Sequence, residues 1–345
     1  MNMKILVTGG TGYIGSHTVV ELLNEGFEVV IADNLSNSNE EVLEGIYQIC
    51  KKKPIFVKCD LAQKEEVVKL FEAHPHIQGI IHFAAYKAVG ESVENPLKYY
   101  QNNLFSLINL LEEMKHRKIN HLVFSSSCTV YGQPEQLPVT ENSPIQNAMS
   151  PYGNTKQVSE EILHDFIHAT ADFKAIALRY FNPIGAHESA LIGELPIGVP
   201  QNLIPYITQT AMGIRSLLKV FGGDYNTPDG TCIRDYIHVV DLAKAHIVAL
   251  RRMIQNQNKK AFEIFNVGTG RGFSVLEVIH SFEKVSDVKL NYEIVDRRAG
   301  DIEKVWADTT FASNELEWKA EKSLDQMLLS AWKWEHFLDK KQKLK

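Results

Sequence analysis

Lys4-Ile5-Leu6-Val7-Thr8-Gly9-Gly10-Thr11-Gly12-Tyr13-Ile14-Gly15 is the stretch whose reading decides the fold. Lys4 to Val7 is a short apolar run of β character. From Ser16 to Asn24 the apolar Val19, Val20, Leu22 and Leu23 recur at helical spacing. Gly9, Gly12 and Gly15 fall in register between the two. Strand, glycine-rich turn and helix in that order form a cradle for a pyrophosphate. Glycine lets backbone N–H groups approach, and the helix N-terminus favours negative charge. The spacing is Gly-x-x-Gly-x-x-Gly, distinct from the Gly-x-Gly-x-x-Gly of other dinucleotide folds.

The same alternation continues outward from this unit. Glu28 to Ala32 reads as a second strand ending at Asp33. An acid there can accept hydrogen bonds from an adenosine ribose and repels a 2′-phosphate, and residues 34–38 offer no arginine to hold one. NAD is therefore favoured over NADP, with a turn or helix cap as the other reading of Asp33. Ile55 to Lys58 is strand-like and leads to Asp60, a candidate adenine contact. Lys64 to Ala73 is helical, and Gly79 to Phe83 is a buried strand ending in the small Ala84-Ala85. Pro96 to Lys118 is a long helix, and His121 to Phe124 the next strand. Repeated βα units predict a Rossmann-type, doubly wound parallel sheet, with the ligand at the carboxyl ends of its strands.

That last strand runs into Ser125-Ser126-Ser127, and 25 positions beyond Ser127 stands Tyr152-Gly153-Asn154-Thr155-Lys156. Tyrosine and lysine four apart share a helix face. Bringing a tyrosine from about 10 to about 7 takes roughly 4 kcal/mol. One ammonium ~4 Å away supplies about 1 kcal/mol in water and about 4 at an effective dielectric of ~20. The pair works as a base only if it is sheltered or if a second cation helps. Alone, it also reads as an ordinary helix start. Ser125 and Ser126 read as a polar strand exit.

Composition narrows the class. With 345 residues, 44% hydrophobic and 23% charged, the chain has the make-up of a soluble globular protein of two lobes. A net charge of −6 gives no field for nucleic acid. No apolar run approaches the ~20 residues of a membrane span. Met1-Asn2-Met3-Lys4 runs straight into a strand, leaving no expected signal peptide. Cys50, Cys59, Cys128 and Cys232 lack disulfide or metal-ligand spacing, so no metal is expected and the location is expected to be cytoplasmic.

Gly9, Gly12, Gly15, Asp33, Ser127, Tyr152 and Lys156 together resemble the extended short-chain dehydrogenase/reductase family. Within it the longer runs Ala88–Ser92, Arg179–Ala186, Arg234–Val239 and Arg297–Asp301 are similar to the UDP-glucose 4-epimerase family, and the likeness spans essentially the whole chain. It implies NAD contacts at Tyr13, Ile14, Asp33, Asn34, Leu35, Ser36, Asn37, Ser38, Asp60 and Leu61. Further NAD contacts would be Phe83, Ala84, Ala85, Tyr86, Lys87, Asn102, Ser127, Tyr152, Lys156 and Phe181. It implies a UDP-sugar held by Lys87, Ser127, Tyr152, Asn182, Asn202, Leu203, Phe221, Arg234, Arg298 and Asp301. In isolation, Arg234 with Asp235 could be a surface pair, and Arg298 with Asp301 a turn-stabilising one.

The implied reaction interconverts UDP-glucose and UDP-galactose through a 4-keto sugar. Tyr152 takes the 4-hydroxyl proton while hydride passes to NAD, and Ser127 relays the proton. Nicotinamide would be the second cation, and NAD would stay bound. A 4,6-dehydratase is the rival in the same class, but such enzymes carry Asp-Glu after the active-site Ser/Thr, where Cys128-Thr129 stands here. A non-catalytic NAD-sensing regulator is the rival from another class, and it could dispense with Tyr152. The likeness further implies a homodimer through two long helices, to which Leu104 to Met114 could contribute. It also places Val305 where hexose-restricted members carry a tyrosine wall, which would leave room for an N-acetyl group unless a neighbour fills it.

After Asn182-Pro183 the βα rhythm breaks. Gly185 to Gln201 reads as a loop crossing the cleft, Leu203 to Met212 and Val239 to Ile254 as helices, and Ala261 to Val267 as a strand. Ser274 caps a helix to Val285, and the Trp332-Lys333-Trp334 helix reads as packing. The expected division is an NAD-binding domain over 1–181 and a smaller mixed α/β lobe for the UDP-sugar over 182–345, with some segments packing back on the first.

Overall fold

Each apolar run of the first half is followed by a helix that must cross a sheet face before the next strand can pair, so the strands become parallel. A computed structural model describes residues 3–298 and 301–343. Its strands there are β1 (Lys4–Thr8), β2 (Glu28–Asp33), β3 (Ile55–Lys58), β4 (Ile77–His82), β5 (His121–Ser127) and β6 (Lys174–Tyr180). The helices between are α1 (Tyr13–Asn24), α2 (Glu41–Cys50), α3 (Lys64–Ala73), α4 (Val89–Glu94), α5 (Pro96–Arg117) and α6 (Pro151–His168). Met1-Asn2, Ala299-Gly300 of the Arg297–Asp301 run and Leu344-Lys345 lie outside the described residues.

The second half supplies β7 (Asn182–Ile184), α7 (Leu203–Ala211), β8 (Leu218–Phe221), β9 (Ile233–His238), α8 (Val239–Ile254) and β10 (Phe262–Val267). It continues with β11 (Gly272–Ser274), α9 (Val275–Ser286), β12 (Tyr292–Val295), β13 (Lys304–Val305), α10 (Thr310–Glu315) and α11 (Leu324–Lys343). The large sheet runs β10-β6-β5-β4-β1-β2-β3, all parallel. Its order is that of a doubly wound Rossmann sheet, with the switch point between β1 and β4. Its seventh strand comes from the second half, where Phe262 to Val267 pair with Ala175 to Tyr180. Helix α8 returns with it, burying Leu242, Ala245 and Leu250 in the same core as Val19 and Val20 of α1. The smaller lobe sets β9 among β7, β11 and β13, pairs β8 with β12, and packs α7, α9 and α11 around Ile207, Phe282 and Leu328.

Some expectations change. α1 begins at Tyr13, three residues before Ser16. β9, α2 and α4 were not expected, and β9 carries the Arg234-Asp235 pair. The surface-pair reading of those two residues fails because neighbours on a strand point to opposite faces. Asp235 is fully buried and accepts from Thr269 N and Oγ1, Gly270 N and Ala307 N. Arg234 instead donates to the carbonyls of Ile302 and Glu303. On α5, Leu107, Leu110, Leu111 and Met114 are buried against the sheet, leaving Phe105 and Ile108 of that stretch exposed.

Candidate active site

The carboxyl ends of β1, β2, β4, β5 and β6 open onto a cleft of about 1700 Å³ that continues into the smaller lobe. A single small ligand takes roughly 300–1,000 Å³, so two can lie end to end. Every position assigned above to cofactor or substrate lines this cleft except Leu35. Leu35 has a φ of +62°, and its N–H turns back to donate to Asp33 Oδ1 at 2.9 Å.

At one end sits the glycine turn. Gly9 has a φ of +66°, and a Cβ there would come within 2.9 Å of Ala84 N. A Cβ on Gly15 would lie 2.2 Å from Gly9 O. Gly12 caps α1 without any side-chain acceptor, so the first-turn N–H groups are left for a ligand anion. Asp33, 8% exposed, accepts from Thr11 N at 3.2 Å and from Ser38 Oγ at 3.3 Å as well as from Leu35. This fixed buried carboxylate suits a ribose hydroxyl and would repel a phosphate. The cradle fits a dinucleotide of the NAD type.

Ser127 ends β5, and its Oγ accepts from Thr129 N at 3.2 Å. Ser150 caps α6 through Gly153 N at 3.1 Å, with Pro151 opening the helix. The first turn therefore carries Tyr152 towards Ser127, with Lys156 one turn on. Lys156 is buried, donates to Ser125 O at 2.6 Å and lies 4.8 Å from the Phe124 ring centre. Burial pushes its ammonium down to about 8, opposed by Glu160. Burial pushes the Tyr152 phenol well above its ordinary range, Tyr180 adds to this, and Ser127 works against it. Shelter without a second positive charge thus keeps the tyrosine neutral.

Sequence reasoning missed what lies behind this edge. Ser125 and Ser126 are more than a polar strand exit. Ser125 supplies the carbonyl for Lys156, and Ser126 Oγ donates to Glu160 Oε1 at 2.5 Å. Glu160 also receives the Arg179 guanidinium, whose Nη1 donates to the Tyr131 hydroxyl at 3.0 Å. Tyr131 in turn donates to Asn266 Oδ1 at 2.6 Å. The available signal was Glu160, four residues after Lys156 on the same helix face. On the sugar side, Arg298 and Asp301 do form a pair, at 2.8 and 3.1 Å, and Arg298 lies 5.5 Å from the Phe221 ring centre. Val305, 1% exposed, packs with Tyr131, Val139 and Phe181 at the wall.

A Gly-x-x-Gly-x-x-Gly turn on a Rossmann sheet, with Ser127, Tyr152 and Lys156 at its carboxyl edge, defines an extended short-chain dehydrogenase/reductase. Residues 6–330 match the family model described as GDP-mannose 4,6 dehydratase. The chain is 50% identical over 333 residues to the UDP-glucose 4-epimerase of Pasteurella multocida, covering 96% of this chain and 97% of that one. It superposes on the UDP-glucose 4-epimerase of Bifidobacterium longum, solved in complex with NAD+ and UDP, with a TM-score of 0.93. There the identity is 45%, over 97% of this chain and 98% of that one. The UDP-Glc/GlcNAc 4-epimerase of Campylobacter jejuni is 39% identical, covering 97% of this chain and 100% of that one, with a TM-score of 0.83. The chain belongs to the family that the model describes and, within it, to the UDP-glucose 4-epimerases.

Proposed function

We propose that this protein interconverts UDP-glucose and UDP-galactose at C4, with NAD as a bound cofactor. The observation that carries the reading is the convergence of Ser127, Tyr152 and Lys156 on the cleft between the nucleotide cradle and the smaller lobe. Gly9, Gly12, Gly15 and Asp33 would hold the cofactor, and Arg234, Arg298, Asp301 and Phe221 the UDP-sugar. Bound NAD supplies hydride exchange at C4 and a positive ring.

Tyr152 is the base for the sugar 4-hydroxyl and returns the same proton at the end of the cycle. Ser127 hydrogen-bonds that oxygen and relays the proton. Lys156, held by Ser125 O, presents its ammonium from the same face of α6 as Tyr152. A 4,6-elimination lacks its acid and base, because burial pushes the Cys128 thiol up to about 12 and Thr129 has no ionisable group.

The division into a cofactor domain over 1–181 and a sugar lobe over 182–345 is part of this reading, with β10 and α8 belonging structurally to the first. So is a homodimer, for which α5 offers Leu97, Phe105 and Ile108 at 73%, 51% and 38% exposure. Among the described residues no helix is long and apolar enough to cross a membrane. The four free cysteines suit a reducing, cytoplasmic setting.

Incubating purified protein with UDP-galactose and no added NAD tests the function. Appearance of UDP-glucose is expected. A requirement for added NAD with release of NADH would make it an ordinary dehydrogenase, and inertness on the sugar would remove the assignment.

A further inference from the structure

Glu194 lies in the segment that crosses the cleft, with its side chain only 14% exposed. Its Oε1 receives Lys87 Nζ at 3.4 Å and Asn202 Nδ2 at 2.5 Å. Lys87 follows β4 of the large sheet, while Asn202 is the N-cap of α7, so one oxygen ties together the two sides of the cleft. The bond also fixes which end of the Asn202 amide is left for a ligand.

The backbone that carries this carboxylate is anchored. Trp334 Nε1 on α11 donates to Glu194 O at 2.8 Å. Gly193 lies so near the indole that a Cβ there would be 2.6 Å from its ring atoms. At the other end of the segment the Tyr13 hydroxyl donates to Gly185 O at 2.6 Å, and Ala186 N donates to Ser330 Oγ at 3.0 Å. A segment whose main chain is fixed at both ends is suited to holding its side chains' partners and poorly suited to swinging aside. Trp334, read from sequence as packing, does stack on Phe337 and adds the hydrogen bond to Glu194 O, whereas Trp332 packs edge-on against Phe282.

Resting on the UDP-sugar reading above, we propose that Glu194 is a positioning residue for the substrate. It holds Lys87 and Asn202 in register across the cleft, and Trp334 holds Glu194. Pairing with Lys87 also keeps the carboxylate from presenting a net negative charge to a diphosphate.

The test compares wild type with Glu194→Ala, Glu194→Gln and Trp334→Phe. It measures the Kd for UDP-glucose by calorimetry, KM and kcat for UDP-galactose, NAD content and Tm. Glu194→Ala should weaken binding about tenfold, as when one charge-assisted hydrogen bond to the ligand is lost, and raise KM more than it lowers kcat. Glutamine keeps an oxygen for Asn202, so Glu194→Gln should recover part of the loss. Trp334→Phe should weaken binding in the same direction and add nothing to Glu194→Ala in the double variant.

Unchanged or tighter UDP-glucose binding in both Glu194 variants would overturn the proposal. So would loss of NAD and of Tm in step with affinity, which marks a merely structural residue. If the alanine variant does not fold, the glutamine variant alone decides. Wild-type protein that does not bind UDP-glucose would sink the functional reading itself. Wild-type binding matched by the variants sinks only the role of Glu194.

Discussion

A phenol as buried as Tyr152 resists ionisation, and the lysine one turn along is itself pushed down to about 8. The base must therefore draw its charge support from what binds beside it, which couples its reactivity to an occupied cofactor site. Tyr152→Phe should keep NAD bound and lower kcat by roughly 10²–10⁴-fold, the usual worth of general acid–base catalysis. Near-normal turnover by that variant would exclude Tyr152 from proton transfer. Val305 raises a separate question, that of breadth. It is a small side chain at the cleft beside Phe181, backed by Tyr131, Val139 and Ala307. An oversized substituent is rejected by overlap, and overlap costs more than a missing contact. The protein is expected to turn over UDP-N-acetylgalactosamine, and Val305→Tyr to abolish this while sparing UDP-galactose. A wild type brisk on UDP-galactose yet inert on the N-acetyl sugar would mean that the neighbouring aromatic rings already fill the space.

Helix α6 carries Tyr152 and Lys156, and its place is held from behind by an ion pair. Glu160 and Arg179 are 8% and 4% exposed and satisfied by Ser126 and Tyr131. Removing one member leaves a buried, uncompensated charge, so Glu160→Gln should destabilise the fold by about 3–5 kcal/mol in urea titrations. Lys284 with Asp325 joins α9 to α11 but is largely exposed, and Asp325→Asn should cost less than about 1 kcal/mol. Similar losses from the two variants would contradict the ranking. The helix itself was legible in the sequence because Ser150, Pro151 and the apolar spacing are local signals. The βα alternation was legible for the same reason. The partners of Glu160 were not, since Ser126 of β5 and Arg179 of β6 reach it only through the sheet register, and Tyr131 joins through Arg179. Nor was Ser125, whose contribution is a backbone carbonyl that any residue could supply. β9 escaped notice because Arg234 and Asp235 make it look exposed, although each charge is satisfied by backbone or hydroxyl groups from another segment. β10 was read as a strand, but nothing in Phe262 to Val267 announces a partner as distant as β6.

At the scale of the whole molecule, four buried histidines weaken the fold in acid, opposed at lower pH by the raised carboxyls of Glu21, Glu141, Asp235 and Glu335. His17 and His82 are pushed down to about 3, and His238 and His246 to about 4, burial being the main cause in each. Their ordinary value is 6.5, so between there and pH 3–4 the unfolded chain binds protons that the folded chain refuses. Their contribution to stability is fully present above about 6.5 and is lost as pH drops, by up to ~1.4 kcal/mol per pH unit for each histidine. Thermal melts should show Tm declining from pH 7 to pH 5, and a flat profile would mean that these rings titrate in the fold. The large sheet has a consequence of another kind. Its β6 edge is closed only by β10, so while the chain leaves the ribosome six strands stand with that edge bare until Val267 has emerged. An open edge of that length invites pairing with a stranger. A chain cut after the first lobe is therefore expected to expose the β6 edge and associate through it, which light scattering of a 1–181 fragment against the full chain would check.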